Sequence, residues 1–77
     1  MKHLLAACMI LAAMVAQAQE ADKITSKGNV YYQAGQYDAA EQQYRKVLAA
    51  DPQNETAMYN LSNTLQRQKK YEEAIRV

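Results

Sequence analysis

Few side chains in this chain could perform acid–base or nucleophilic chemistry. The only histidine, His3, lies beside the start of the chain, ahead of an apolar run. Ser26 and Ser62 therefore lack a histidine that could activate them as nucleophiles. The neighbouring acids Glu72 and Glu73 lie among lysines and an arginine, which favours a solvated helix start over a catalytic carboxylate pair. We therefore expect no enzyme activity in this chain.

Sites for metals, phosphates and nucleic acids are equally sparse in the sequence. Cys8 is the only cysteine, and one cysteine makes neither an internal disulfide nor a zinc site. No residues have metal-ligand spacing, and no glycine-rich phosphate loop is present. The net charge is +1, without a basic stripe, which argues against nucleic acid as a partner. We expect no cofactor and no metal, which leaves the surface of the molecule as the candidate for function.

The composition predicts an all-α fold. The 77 residues suffice for one small domain, and 49% of them are apolar. The chain has no Trp or Phe but six tyrosines, and only two glycines and one proline. Abundant Ala, Gln, Glu and Lys favour helices over a sheet of short strands and turns.

The N-terminus is typical of a secretory signal peptide. Met1-Lys2-His3 is positively charged, and residues 4–16 form an apolar run of 13 residues that ends in Ala16-Gln17-Ala18. Such a run fits the apolar region of a signal, about 7–15 residues, and the Ala-x-Ala sequence fits its cleavage site. We predict a signal peptide over 1–18 and export to the periplasm or the outside of the cell. The chain should contact the membrane only through this transient signal peptide.

Two other interpretations of this leader remain open. Leu5-Ala6-Ala7-Cys8 resembles a lipobox, although almost no apolar segment precedes Cys8 and the apolar run continues past it. An uncleaved membrane anchor would need about 20 residues. It would reach that length only by including Gln17 and Gln19 on the way to Ala21.

Residues 19–77 contain an internal repeat with a period of 34. Shifting the sequence by 34 residues aligns positions of the same size class. The aligned pairs are Gly28 with Ser62, Asn29 with Asn63, Tyr37 with Tyr71, Ala40 with Ala74, Ile24 with Met58, and Tyr31 with Leu65.

The apolar spacing and the helix-breaking residues predict the helices of this repeat. A first helix covers about 22–34 and ends at Gly35, which can adopt the left-handed conformation of a helix C-terminus. A second covers about 37–49 and ends at Asp51-Pro52. Asn54 is the predicted N-cap of a third helix. That helix should present Met58, Leu61, Ser62 and Leu65 on one face, and a fourth should begin near Lys70 or Tyr71.

These residues resemble the tetratricopeptide repeat. The family pattern combines small residues at helix crossings, aromatic residues between helices and a Gly-x-Tyr turn. The residues that fill its structural positions are Gly28, Tyr31, Gly35, Tyr37, Ala40, Tyr44, Val47 and Pro52 in the first copy, and Leu61, Ser62, Leu65, Tyr71, Ala74 and Ile75 in the second. The resemblance implies a solenoid of antiparallel helix pairs, with repeat 1 at about 21–54 and a truncated repeat 2 at about 55–77.

The sequence departs from the pattern at two lysines. Lys27 occupies the position that Leu61 fills in the second copy, and we expect it to be partly exposed, with its stem along the helix. Lys69 replaces the turn glycine of the second copy. A non-glycine residue in that conformation costs about 1 kcal/mol.

The resemblance also implies a binding groove lined by the first helix of each pair. The corresponding residues are Thr25, Asn29, Tyr32, Gln33, Tyr59, Asn63, Gln66 and Arg67. Asn29 and Asn63 occur where chaperone-binding members grip a C-terminal carboxylate, but Thr25 stands where those members have a lysine. Consensus asparagines on a solvated face are the simpler interpretation.

A narrower resemblance concerns the leader, the Ala21-Asp22-Lys23 start and the strings 60–65 and 68–74. They are similar to exported tetratricopeptide proteins of Bacteroides-type aerotolerance operons, the Bat proteins. This resemblance implies a scaffold or adaptor in the cell envelope. The alternative is an N-terminal appendage of a larger envelope assembly factor or enzyme. Because the second copy stops early, we expect the chain to be the N-terminal piece of a longer protein; a naturally small two-repeat protein remains the alternative.

Overall fold

The computed structural model describes the backbone of residues 2–76 and the side chains of residues 7–70 and of Ile75. Three helices follow one another: α1 at Lys2–Gln33, α2 at Tyr37–Ala50 and α3 at Glu55–Arg76. α2 packs against both α1 and α3. No strand occurs within this described part. The predicted all-α, helix-pair fold is confirmed.

The turn between α1 and α2 depends on Gly35. Gly35 has a φ of 77°, a left-handed conformation that glycine adopts without the steric cost of a Cβ. The N–H of Gln36 donates to the carbonyl of Tyr31 at 2.9 Å, and the N–H of Gly35 to that of Tyr32 at 3.0 Å. These two bonds form a Schellman motif, which satisfies carbonyls left unpaired at the helix end. The predicted glycine stop is found at this residue.

The connection between α2 and α3 is a proline-containing turn with a capped exit. The N–H of Asn54 donates to the carbonyl of Asp51 at 3.1 Å, which closes a turn whose second residue is Pro52, the position proline favours. The side-chain oxygen of Asn54 then accepts from the N–H of Ala57 at 2.9 Å. Asn54 is therefore the N-cap of α3, as the sequence predicts.

The core between the helices is small and centres on one tyrosine. Ala40 and Ala57 are fully buried, and the side chains of Tyr44 and Val47 are each 1% exposed. Tyr44 lies on Gly28 of α1, where an added Cβ would come within 2.7 Å of its ring. Only a residue without a side chain allows α1 to approach α2 this closely.

The buried face of α3 differs from the predicted one. Met58 is 46% exposed and Leu65 39% exposed, whereas Thr64 is fully buried. The Thr64 hydroxyl donates to the carbonyl of Asn60 at 2.7 Å, so its burial leaves no polar group unpaired. The predicted face through Met58 and Leu65 is therefore not the buried one, because the stripe through Ala57 and Thr64 faces α2.

The predicted fourth helix does not form separately. α3 continues without a break from Glu55 to Arg76, through the positions at which Lys70 or Tyr71 was expected to begin a new helix. The reason lies in the residue at the expected turn. Lys69 has a Cβ and high helix propensity, so continuing the helix costs less than entering the left-handed conformation that Gly35 adopts.

The first half of α1 extends beyond the packed helices. α1 runs continuously through Ala18 and Gln19, and the residues at 7–20 are all exposed. Met9, Ile10 and Leu11 are between 61% and 74% exposed. Of the helices that the structure describes, none has the length and apolarity needed to cross a membrane. The apolar run therefore has no protein core to enter within the described residues.

Candidate functional site

The predicted groove residues lie on α1 and α3, the first helices of the two copies. Tyr32 and Thr25 are half-buried on α1, and Asn63 is half-buried on α3. Asn29, Gln33, Gln66 and Arg67 are exposed. Tyr59 is 69% exposed. Most of this surface is therefore open to a partner.

Four of the eight predicted residues share one cavity of about 260 Å³. It lies between the last turn of α1 and the middle of α3. Its lining consists of Tyr32, Asn63, Gln66, Arg67 and Lys70. The lining thus combines one phenol, two amides and two cations, and is suited to polar recognition.

Tyr32 connects the cavity to the turn between α1 and α2. The Nε of Arg67 donates to the Tyr32 hydroxyl at 3.3 Å, and this bond raises the pKa of the Arg67 guanidinium. On its other side the Tyr32 ring meets the Tyr37 ring edge to face, with centroids 5.3 Å apart and an interplanar angle of 70°. The arrangement is a favourable one for aromatic pairs. Tyr37, which follows the Gly35 turn, therefore helps to hold the phenol that contacts Arg67.

Asn29 joins all three helices through its side-chain oxygen. The hydroxyl of Tyr44 donates to Asn29 Oδ1 at 2.5 Å, and the Nδ2 of Asn60 approaches the same atom at 3.4 Å. Asn29 belongs to α1, Tyr44 to α2 and Asn60 to α3. The side-chain oxygen of this predicted groove residue is thus engaged in packing the helices.

The family comparison agrees with this helix-pair geometry. The family model described as tetratricopeptide repeat matches residues 25–77. This chain belongs to the tetratricopeptide repeat family. No curated protein and no solved structure matches it significantly. Repeats of this class stack into extended concave surfaces used for binding, so the chain is a protein-interaction module by family.

The structure separates the predicted groove of this tetratricopeptide repeat into two parts. Thr25, Gln33 and Tyr59 do not line the cavity, and Asn29 serves the helix packing described above. Sequence reasoning missed Lys70, which was assigned to the start of another helix. Its spacing could have revealed it, because Asn63, Gln66 and Lys70 follow one another at three and four residues, on one helix face.

The remaining repeat positions vary in burial. Tyr31, Tyr37 and Leu61 are half-buried, and Pro52 is exposed. Lys27 is exposed, as expected. The expectations for Tyr71 and Ala74 concern side chains outside the described residues. In the portion of the chain that the structure covers, no group of three or more His, Cys, Asp or Glu residues could hold a metal ion.

Proposed function

We propose that the chain is an exported protein-interaction module that binds a partner segment along the concave surface between α1 and α3. The observation that supports this most directly is the polar cavity between Tyr32 of α1 and Arg67 of α3. Amides and a phenol can bond to a peptide backbone, and aromatic and arginine side chains are frequent anchors of interfaces.

The role outside the cytoplasm is supported by the leader. The apolar side chains at 7–16 have no core to enter in the described chain, and Ala16-Gln17-Ala18 follows them directly. A segment of this kind is typical of a signal that is removed on export. The mature chain would then start at Gln19 and keep the second half of α1, which packs against α2.

Within the envelope, the role that fits these features is a scaffold or adaptor, as in the aerotolerance-operon proteins that the sequence resembles. The alternative is a repeat appendage at the N-terminus of a larger assembly factor or enzyme. Any coding sequence found after Val77 in the gene would distinguish them, because further repeats favour the scaffold and a different domain favours the appendage.

Binding is tested by selecting peptides from a random display library on the 77-residue chain and mapping one of them by NMR. We expect the backbone amide shifts to change at 25–33 and 59–67, along the groove. The outward side of α2, around Lys46, serves as the internal reference. Enrichment of no peptide, or shifts confined to α2, would contradict the proposal.

Export is tested by expressing the chain in a bacterium with two membranes and measuring the intact mass of the periplasmic fraction. The expected mass corresponds to a chain that starts at Gln19. Ala18→Leu should block processing, and the matched Ala21→Leu should not. Cys8→Ala should leave the product unchanged; a lipid-modified product that disappears in Cys8→Ala would show that the leader is a lipoprotein signal instead.

A further inference from the structure

The described lining of the cavity between α1 and α3 is positively charged. Arg67 and Lys70 contribute two positive charges to its lining, and Tyr32, Asn63 and Gln66 are neutral. Among the lining residues whose side chains the structure describes, none is acidic. These described side chains carry a charge of about +2, on a chain whose overall net charge is only +1.

Two acidic side chains of α2 are engaged elsewhere. The carboxylate of Asp38 accepts from the Nε2 of Gln68 at 2.7 Å. The carboxylate of Glu41 accepts from the Nε of Arg45 at 2.7 Å, and this bond lowers the pKa of the Glu41 carboxyl. Neither carboxylate forms an ion pair with Arg67 or Lys70 in the described part of the chain.

The guanidinium of Arg67 is oriented for a further acceptor. The bond to the Tyr32 hydroxyl engages only Nε, and a guanidinium carries four more N–H groups on its terminal nitrogens. Planar carboxylates match this donor geometry and can accept two parallel bonds. Tyr32 itself is braced by Tyr37, so the hydroxyl that accepts from Arg67 is held in place before a ligand arrives.

We propose that this cavity binds the carboxylate of an aspartate or glutamate side chain within an acidic segment of a partner protein. Arg67 and Lys70 supply the charge, and Asn63 and Gln66 supply bonds to the neighbouring backbone. The volume of about 260 Å³ leaves room for one acidic side chain and several waters, since a cavity needs only about 10–15 Å³ of this kind of volume to hold a water. The inference rests on the proposed function and specifies the chemistry of its partner.

The test uses fluorescence anisotropy with the full 77-residue chain and three labelled nonapeptides. The first alternates serine and glutamate and is blocked at both ends. The second replaces each glutamate by glutamine. The third has the glutamine sequence with a free C-terminal carboxylate. The variants are Arg67→Gln and Lys70→Gln, with Lys46→Gln as the matched control, since Lys46 is an exposed cation of α2 that does not line the cavity.

We expect the glutamate peptide to bind in preference to both others. Arg67→Gln and Lys70→Gln should each weaken its affinity about three- to fivefold, in the upper range for exposed ion pairs, and added salt should weaken it further. Lys46→Gln should change it little. The helical circular dichroism of all variants should match that of the parent, because the three side chains are exposed.

Three results would overturn the inference. An equal loss of affinity for the glutamate peptide in Lys46→Gln would indicate that the peptide is attracted to the overall charge of the chain and not to this cavity. Preference for the free C-terminus would assign the site to a terminal carboxylate. The third result is that the selected display peptides bind the groove with an affinity that changes neither in Arg67→Gln nor when their glutamates are replaced by glutamine. In that case the acidic-segment inference fails and the proposed binding function stands.

Discussion

An added Cβ at Gly28 would lie 2.7 Å from Cε1 of Tyr44, the central side chain of the core. The Tyr44 ring cannot yield easily, because it is 1% exposed and its hydroxyl is bonded to Asn29 at 2.5 Å. The contact between Gly28 and Tyr44 therefore sets how closely α1 and α2 approach. It also fixes Asn29, which in turn meets Asn60 of α3.

Gly28→Ala should destabilise the chain, although alanine is the better helix former. The propensity gain is about 1 kcal/mol, whereas overpacking a tight core costs about 1–3 kcal/mol. Since both the ring and its hydroxyl are held, we expect a net loss of about 1 kcal/mol. Urea unfolding followed by helical circular dichroism measures it.

Ser62→Ala is the matched control, because Ser62 occupies the same repeat position in the second copy but is exposed. Alanine there should be neutral or stabilising by up to about 0.5 kcal/mol. Equal responses at Gly28 and Ser62 would show that the close approach to Tyr44 does not limit the packing.

Ala40→Leu should also reduce stability, by about 1–3 kcal/mol, because three further carbons must enter a position that is fully buried. Ala49→Leu on the same helix is the control, since Ala49 is exposed and should tolerate the larger side chain. Thermal unfolding of the two variants provides the comparison. An unchanged melting temperature for Ala40→Leu would place Ala40 away from a helix crossing.

The parts of this fold that the sequence predicted are those determined by local chemistry. Gly35 has no Cβ and can enter the left-handed region, and the side chain of Asn54 can cap the helix that follows it. Both residues act on their own backbone neighbourhood. Their effects therefore follow from residue type without knowledge of tertiary packing, and they determine the end of α1 and the start of α3.

The parts that the sequence did not predict depend on which helices meet. The periodic pattern of α3 allows a stripe through Leu61 and Leu65 or one through Ala57 and Thr64, and only contact with α2 selects the second. The cavity is a similar case. Lys70 enters its lining because α3 continues past Lys69, a consequence of the whole helix and not of a local motif.

Asn54→Ala should weaken the start of α3. Alanine cannot accept the bond from the Ala57 N–H, and losing an N-cap costs about 1 kcal/mol. Asn54→Asp retains a side-chain acceptor and should keep most of the stability. Hydrogen exchange at the amide of Ala57 reports the cap directly, and unchanged protection there in Asn54→Ala would contradict its role.

Lys69→Gly should interrupt α3, because a glycine in a helix interior costs about 1 kcal/mol relative to alanine and readily adopts positive φ. Spin labels at Ser62→Cys and Ile75→Cys, in a Cys8→Ala background, should lie about 20 Å apart at the backbone in the continuous helix, at 1.5 Å per residue. Lys69→Gly should broaden the distribution of distances between the two labels toward shorter values, and Lys69→Ala should not. A narrow, unchanged distribution in Lys69→Gly would mean that the lysine is not what keeps α3 continuous.

The stability of the fold should decline in alkaline solution because of Tyr44. Burial, with a smaller contribution from Tyr32, raises the pKa of the Tyr44 phenol above its ordinary value of 10.0. As the pH rises through about 10, the unfolded chain releases this proton while the folded chain retains it. The folded state then binds more protons, so the free energy of unfolding falls with increasing pH.

Urea unfolding at about pH 8 and about pH 10.5 measures this fall in the free energy of unfolding. The fall should be smaller in Tyr44→Phe, which has no phenol at this position. Tyr59→Phe is the control, since Tyr59 is 69% exposed, and it should retain the parent's slope. Identical slopes for the parent and Tyr44→Phe would mean that the buried phenol is not the group whose ionisation opposes folding.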